Sequence, residues 1–136
     1  MKFQHFIEAQ NSVISAVLDE LRAGQKRTHW MWFVFPQHVG LGRSGMARRF
    51  GLGSLEDARE YLADPVLGGR LVVCTEAVLV HGTKLAREIF GSTDAMKFRS
   101  CMTLFAIAAP QQSIFQSALD EFFGGEPDPL TVALLA

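Results

Sequence analysis

Apolar residues recur along this chain at three- and four-residue steps, the spacing that places side chains on one face of an α-helix. The pattern is clearest in residues 3–22, where apolar positions run from Phe3 to Leu21 and Gly24 follows as a stop signal. This segment is therefore predicted to form one amphipathic helix. The residues expected mostly on its opposite, polar side are Glu8, Ser15, Asp19, Glu20 and Arg22.

Capping residues mark the boundaries of further helices. Serine, threonine or aspartate precedes most of the later apolar runs, and glycine or proline follows most of them. The ranges predicted in this way are 44–50, 54–63, 65–82, 83–90, 92–109, 111–123 and 130–135. No segment alternates apolar and polar residues as a half-buried strand would. We therefore expect an all-α fold of about seven short-to-medium helices, packed in one compact array as a single domain over residues 1–136.

Both tryptophans of the chain lie in one apolar run, residues 30–35, between His29 and Pro36. Periodicity does not separate a buried strand from a buried helical turn here. A lone strand would lack a partner, so we favour a short helix that Pro36 ends. Trp30 and Trp32 point in different directions on such a turn. One of them can face the core while the other lines a ligand cavity, and the alternative that both only nucleate the core stays open.

Composition and charge narrow the functional classes. The chain has 136 residues with 13 basic and 14 acidic side chains, so no excess of positive charge favours nucleic-acid binding. The first residues lack the apolar core of a signal peptide, and no apolar run is long enough to span a bilayer. We therefore expect a cytoplasmic protein without membrane association. The two cysteines, Cys74 and Cys101, lie in apolar runs and are expected to be buried and free.

The sequence lacks the common catalytic and metal-binding motifs. The four histidines are not spaced with other ligands as they are in zinc sites, and no serine stands in a nucleophile elbow. We predict no metal and no cofactor, and whether the chain is an enzyme stays open.

Several polar residues nevertheless fit a ligand site. Residues 40–45 form a glycine-rich loop that carries Arg43 and Ser44 before a predicted helix, where free backbone amides can bind an anion. A flexible surface loop is the alternative. Asp94 and Lys97 share one face of a later helix and either contribute to a pocket or pair at the surface. Arg70 stands in an apolar helix start, where it either binds a ligand or only extends its charged end to solvent.

Several segments of the chain carry the signature of a known family. They are residues 29–37, Gly40-Leu41-Gly42-x-Ser44, Ala47-x-x-Phe50, Glu56-x-Ala58-x-x-Tyr61-Leu62, Pro65-x-Leu67-Gly68-x-Arg70-Leu71, Ile89-Phe90-Gly91 and Asp94-x-x-Lys97-x-x-Ser100-Cys101-Met102-Thr103-Leu104-Phe105. Together they resemble domain of unknown function 1810. Members of that family are small, mostly bacterial and mostly helical proteins without a settled activity, so the resemblance implies a fold and not a function.

Two functions fit these features. In the first, the chain binds a small molecule of the nucleotide or ADP-ribose type, either as a binding domain alone or also as a hydrolase-like enzyme. Trp32 would stack on the ligand, and Arg43, Arg70 or Lys97 would hold the phosphate. Asp94 would act as a base or orient a water. The candidate pocket comprises His29, Trp32, Gln37, Arg43, Ser44, Arg70, Asp94 and Lys97.

The second function is a protein-interaction or regulatory module without catalysis. Residues 130–136 are apolar and carry no charged side chain. An exposed apolar segment of this kind can dock on a partner or on a second copy of the chain, so a homodimer is also expected to be possible.

Overall fold

The structure is a computed structural model that describes residues 2–136, and all of its regular elements are helical. Between residues 2 and 136 the pairing of extended backbone is limited to an isolated bridge between His38 and Leu52. None of the helices in this part of the chain is long and apolar enough to cross a membrane. Besides one short 3-10 turn (Val39–Leu41), the elements are α1 (Gln4–Asn11), α2 (Ile14–Arg22), α3 (Met31–Val34), α4 (Gly45–Arg49), α5 (Leu55–Ala63), α6 (Pro65–Leu79), α7 (Ala86–Phe90), α8 (Ser92–Ala108), α9 (Ile114–Phe123) and α10 (Pro129–Leu135).

The all-α prediction is confirmed, but the expected number of about seven helices is wrong, since the described residues form ten. The first predicted helix is divided into α1 and α2 at Ser12 and Val13. There the Val13 amide donates to the carbonyl of Gln10, three residues earlier, at 3.0 Å, which interrupts the hydrogen-bond ladder of an α-helix. Two later helices also begin further along the chain than predicted, α7 at Ala86 and α9 at Ile114.

Predicted caps account for the boundaries that the sequence places correctly. The hydroxyl groups of Ser44 and Ser54 accept hydrogen bonds from amides in the first turns of α4 and α5. The Asp64 carboxylate does the same for α6, with Pro65 at the first helical position. The Trp-rich run forms α3, and the chain leaves the helical conformation at Phe35, immediately before the next proline.

Helix α8 lies at the centre of the core, where it packs against α5, α7, α9 and α10. The ring of Phe98 on α8 lies 5.0 Å from that of Phe35 and 4.8 Å from that of Phe90, so it joins α8 to the ends of α3 and α7. Both cysteines are buried and free, as predicted. Burial raises the pKa of the Cys74 thiol to about 12 and that of Cys101 well above its usual range, so both thiols are unreactive.

The prediction that Glu20 lies on the polar side of its helix is wrong, because the residue is only 9% exposed. Its carboxylate accepts hydrogen bonds from the Arg27 amide at 2.6 Å, the Thr28 amide at 2.9 Å and the Thr28 hydroxyl at 2.6 Å. The indole N–H of Trp30 donates to it at 3.1 Å. Burial alone would raise the pKa of this carboxyl, but these hydrogen bonds together lower it to about 2. The carboxylate thereby fixes the position of the Trp-rich run relative to α2.

A second buried polar group, Gln10, joins α1 to three other helices. Its amide nitrogen donates to the carbonyl of Phe33 at 2.7 Å and to the hydroxyl of Tyr61 at 3.1 Å. The Arg70 guanidinium donates to the Gln10 amide oxygen at 3.3 Å and to the Asn11 side-chain oxygen at 2.9 Å. The amide nitrogen and oxygen of the buried Gln10 side chain therefore have hydrogen-bond partners on α3, α5 and α6.

The C-terminal helix α10 is held against α8 by the buried residue Asp128. Its carboxylate accepts hydrogen bonds from the amide and hydroxyl of Thr131, at 3.0 Å and 2.6 Å, and from the hydroxyl of Ser100 at 3.3 Å. Its own amide donates to the Thr103 hydroxyl at 2.8 Å. The apolar C-terminal segment is therefore an ordered helix with a fixed orientation.

We expect Glu20→Gln to lower the free energy of unfolding at neutral pH by about 3 kcal/mol, because its buried donors lose a charged acceptor. The folded-state pKa of about 2 lies below the ordinary value of 4.5. This contribution is therefore complete above about pH 4.5 and is lost as the pH falls toward about 2. Urea unfolding of the wild type and the variant across this range measures both effects.

The matched control is Asp19→Asn, a change at the exposed neighbouring residue that should alter stability by less than about 0.5 kcal/mol. Equal losses in the two variants would show that the Glu20 carboxylate does not anchor the loop. So would an acid-dependent loss in Glu20→Gln as large as that of the wild type.

Two adjacent glycines of α6 should respond to alanine in opposite ways. A Cβ on Gly68 would overlap the carbonyl oxygen of Leu62, whereas a Cβ on Gly69 would meet no atom within 4 Å. Gly68→Ala should therefore destabilise the protein by about 2–4 kcal/mol. Gly69→Ala should stabilise it by up to about 1 kcal/mol, because alanine is the better helix former. Thermal unfolding of the two variants side by side tests this, and equal effects would contradict the close approach of α5 to α6.

Candidate functional site

A cluster of charged and aromatic side chains lies where α3, the start of α8 and the loop after α2 meet. In this Trp–Lys cluster (Lys26, Trp30, Trp32, Asp94 and Lys97), Lys97 Nζ lies 3.7 Å from the centre of the Trp32 ring. Lys26 Nζ lies 4.9 Å from the centre of the Trp30 ring. Asp94 Oδ2 is 2.9 Å from Lys26 Nζ, and Asp94 Oδ1 is 3.4 Å from Lys97 Nζ. Each tryptophan therefore contacts a lysine, and one carboxylate links the two lysines.

Local structure brings these residues together. Asp94 and Lys97 lie three residues apart in the first turns of α8, so they share a face of that helix. Helix α8 begins directly after Gly91, whose φ of +82° favours glycine. Lys26 lies in the loop after α2, where its backbone amide donates to the carbonyl of Ile89 at 2.7 Å. This bond ties the loop to α7, next to the start of α8.

Burial strengthens the contacts within the Trp–Lys cluster. The side chain of Lys26 is 6% exposed, and those of Asp94 and Lys97 are 21% and 20% exposed. A cation–π contact contributes about 0.5–1 kcal/mol at a surface and up to about 2 kcal/mol when it is desolvated. The Lys26 ammonium also needs its carboxylate partner, because an isolated buried charge is strongly destabilising.

The cluster surrounds a small cavity of about 90 Å³. Two ammonium groups and one carboxylate leave a single net positive charge beside it. The cavity is well below the roughly 300 Å³ or more of a site that encloses a drug-sized ligand, so it has room for only one small chemical group. The lining residues are Lys26, His29, Trp30, Met31, Trp32, Asp94 and Lys97.

The structure separates the residues that the sequence assigns to one pocket. Four of the eight predicted residues line the cavity of the Trp–Lys cluster, where His29 is exposed and Trp32 is half-buried. These residues are His29, Trp32, Asp94 and Lys97. The remaining residues, which do not line this cavity, are Gln37, Arg43, Ser44 and Arg70.

The other predicted residues take part in local structure. Gln37 is buried, and its backbone carbonyl accepts a hydrogen bond from Leu52 at 3.0 Å. The Ser44 hydroxyl caps α4 by accepting from the Ala47 amide at 3.1 Å, and Arg43 beside it is exposed. The glycine-rich loop therefore uses its serine within the helix cap, and none of its residues lines the cavity of the Trp–Lys cluster.

Lys26 and Trp30 belong to the site but were not among the residues predicted for it from the sequence. A lysine four residues before a tryptophan is a weak signal for a cation–π contact, and it was available in the sequence. Nothing local pairs Lys26 with Asp94, which belongs to a distant helix. Glu20, which positions the loop, lies three residues after the buried Val17, and this spacing would have placed it on the core face.

The chemistry of the Trp–Lys cluster favours binding over catalysis. Both carboxylate oxygens of Asp94 contact ammonium groups, so this residue would act as a general base only after losing one of these contacts. Between residues 2 and 136, no three histidine, cysteine, aspartate or glutamate side chains are arranged to hold a metal ion. The cluster can therefore attract an anion through its two lysines and offer the edge of an indole to the rest of a ligand.

Comparison with known proteins points to one family. Among curated proteins, none matches the chain. The chain is similar to the conserved hypothetical protein Rv1873 from Mycobacterium tuberculosis, with 48% sequence identity and a TM-score of 0.96, over 98% of this chain and 95% of that one. The model of a family described as "Protein of unknown function (DUF1810)" matches residues 1–135. The chain therefore belongs to this family, as the Trp-rich signature of residues 29–37 indicates.

Proposed function

We propose that the chain binds a small phosphate-bearing ligand, of the nucleotide or ADP-ribose type, at the Trp–Lys cluster. The observation that carries this proposal is the position of Lys97, whose ammonium lies on the face of Trp32 and beside a cavity with net positive charge. A lysine held in this way is a fixed and partly desolvated point charge. Charge-assisted hydrogen bonds from such a group are the usual means of holding a phosphate.

The size of the cavity limits how much of the ligand enters it. A space of about 90 Å³ admits one phosphate group, whose oxygens would accept hydrogen bonds from Lys26 and Lys97. The exposed ring of His29 lies at the rim and supplies a further polar contact. The rest of the ligand then lies outside the cavity, against the accessible part of Trp32.

Hydrolysis is a further step within this proposal, and Asp94 carries it. A ligand phosphate that draws Lys97 toward itself would release one oxygen of Asp94 from its ion pair. The released oxygen would then accept a proton from a water molecule, whose oxygen would attack the phosphorus while the P–O bond to the rest of the ligand breaks. The departing oxygen would take up that proton from Asp94. Binding must come first, so binding is the step to test.

We expect ADP-ribose, AMP or pyrophosphate to raise the thermal midpoint of unfolding, and Lys97→Met to abolish this shift. A ligand at about a hundred times its Kd adds roughly 2.7 kcal/mol of stability, which moves the midpoint of a domain of this size by several degrees. Methionine keeps an unbranched stem over Trp32 and removes only the charge. The measurement is a thermal-shift titration with each compound, with adenosine and ribose as uncharged comparisons.

The matched control for this titration is Lys2→Met, which removes one charge from an exposed lysine paired with Asp57 and Glu60. This variant should keep the full shift. A shift that persists in Lys97→Met, or that adenosine reproduces, would place the ligand outside the Trp–Lys cluster. No response to any phosphate compound would reject the proposed function.

Helix α10 supports a second candidate function, which is protein interaction without catalysis. Leu130 is 67% exposed and Leu134 is 43% exposed, beside a cavity of about 280 Å³ that Gly40 and Leu41 also line. Because Asp128 anchors the helix, these leucines form a fixed apolar surface that a partner or a second copy of the chain would cover.

If α10 mediates self-association, light scattering should give the mass of a dimer for the wild type and that of a monomer for Leu134→Glu. A glutamate placed in an apolar contact would lose its hydration without gaining a partner. The control is Val80→Glu, a change at an exposed valine that follows α6. A wild-type protein that stays monomeric would show that α10 does not mediate self-association.

A further inference from the structure

A groove of about 480 Å³ lies between α2 and α6, separate from the Trp–Lys cluster. Its volume falls within the range of roughly 300–1,000 Å³ that is typical of small-molecule sites. Apolar side chains form most of its walls, and two of them, Val66 and Val73, are substantially exposed to solvent. The residues that line the groove include Ile14, Leu18, Val66, Gly69, Arg70 and Val73.

Arg70 is the charged side chain of this groove, and it has no counter-ion. Its guanidinium is bound to the side-chain oxygens of Gln10 and Asn11, which are neutral amides. Among the ion pairs of residues 2–136, none includes Arg70. A guanidinium carries five N–H donors, so these two bonds leave donors free. The buried Gln10 holds this unpaired cation in a defined position beside apolar walls.

Gly69 leaves part of the groove open. A Cβ at this position would meet no atom within 4 Å, although glycine is the weakest helix former apart from proline. The backbone of α6 is therefore directly accessible from the groove at Gly69. An extended apolar ligand can contact α6 there more closely than it could if any other residue stood at this position.

We propose that this groove binds a small amphiphilic carboxylate, with the chemistry of a medium-chain fatty acid. The carboxylate pairs with the free donors of Arg70, whose planar fork matches two carboxylate oxygens. The hydrocarbon chain runs over Gly69 and covers Ile14 and Val73, which removes their apolar surface from water. The next cavity along α6 carries both Arg22 and Glu76, so its charges do not select an anion. Because Arg70 is the charged residue that lines the first groove, the carboxylate of the ligand is placed at Arg70.

The experiment is a calorimetric titration of the 136-residue chain with decanoate, kept below the concentration at which decanoate forms micelles. Decanol and decyltrimethylammonium have the same chain without the negative head, and they test the part played by the carboxylate. Gly69→Leu fills the groove at a position where a side chain has room, so this variant should keep the fold. Arg70→Met removes the cation, and Arg70→Lys retains the charge if the loss of the Gln10 contact proves destabilising.

We expect saturable one-to-one binding of decanoate that Gly69→Leu and Arg70→Met each weaken by about tenfold or more. Arg70→Lys should retain only part of the affinity, because lysine keeps the positive charge but not the planar fork that matches two carboxylate oxygens. Two variants should bind as the wild type does: Arg48→Met, which removes an exposed arginine from α4, and Lys97→Met. In a spectrum of the ¹⁵N-labelled protein, the amide of Gly69 should shift during the titration.

Three results would overturn the proposal. They are the absence of saturable binding, equal affinity for decyltrimethylammonium, and unchanged affinity in Gly69→Leu. Loss of decanoate binding in Lys97→Met would place this ligand at the Trp–Lys cluster and would also overturn the proposal. The phosphate site is tested by a separate titration with phosphate compounds, so failure of the groove and failure of the phosphate site are distinguishable.

Discussion

The buried carboxylate of Glu20 is the interaction on which the rest of the structure depends. The loop after α2 has no regular secondary structure. Backbone amides and side-chain donors of this loop donate hydrogen bonds to the one carboxylate of Glu20. A charged acceptor inside the protein is stable only when such donors surround it, so the loop and the carboxylate require each other. The indole of Trp30 donates to the same carboxylate, directly before α3 begins. This hydrogen bond therefore fixes where the aromatic side chains of α3 enter the core.

Helix α8 joins the core to the surface cluster. Its middle section contributes Phe98 and Cys101, which are fully buried, whereas its first turns carry Asp94 and Lys97. Phe98 packs on Phe35 at the end of the Trp-rich run, so the distance between α3 and α8 is fixed by core packing. Lys97, which directly precedes Phe98, therefore contacts Trp32 from a rigid part of α8. Side chains held by packed helices are more precisely placed than side chains on loops.

The sequence predicts the helical class and many boundaries because those signals are local. Ser44, Ser54 and Asp64 each precede a helix and bond to amides within three residues, so the cap can be identified from neighbouring positions alone. The break between α1 and α2 carries no glycine or proline, and no local pattern indicates it. Glu20 shows a different limit. Its spacing from Val17 indicates the core face, but its polarity suggests a surface position, and the donors that make its burial possible lie in the following loop.

The candidate site depends on contacts between distant parts of the chain, and these are only partly predictable. Asp94 and Lys97 can be paired from their spacing on one helix. Their meeting with Lys26 and Trp32 is set by how α3 and α8 pack, which the sequence pattern does not encode. Arg70 illustrates the opposite case, because its charge suggested the same pocket while its hydrogen bonds to α1 hold it beside a different groove.

The position of Asp94 between two lysines has a consequence for selectivity. The cluster already contains an anion of its own, so a ligand bound as proposed would compete with the Asp94 carboxylate for the two lysines. A chloride or acetate ion carries the same single charge as Asp94 and would gain little in that competition, whereas a phosphate dianion would bring a second charge and more acceptor oxygens. In the proposed function, the internal carboxylate would thus set a valence threshold against the abundant monovalent anions of a salt solution.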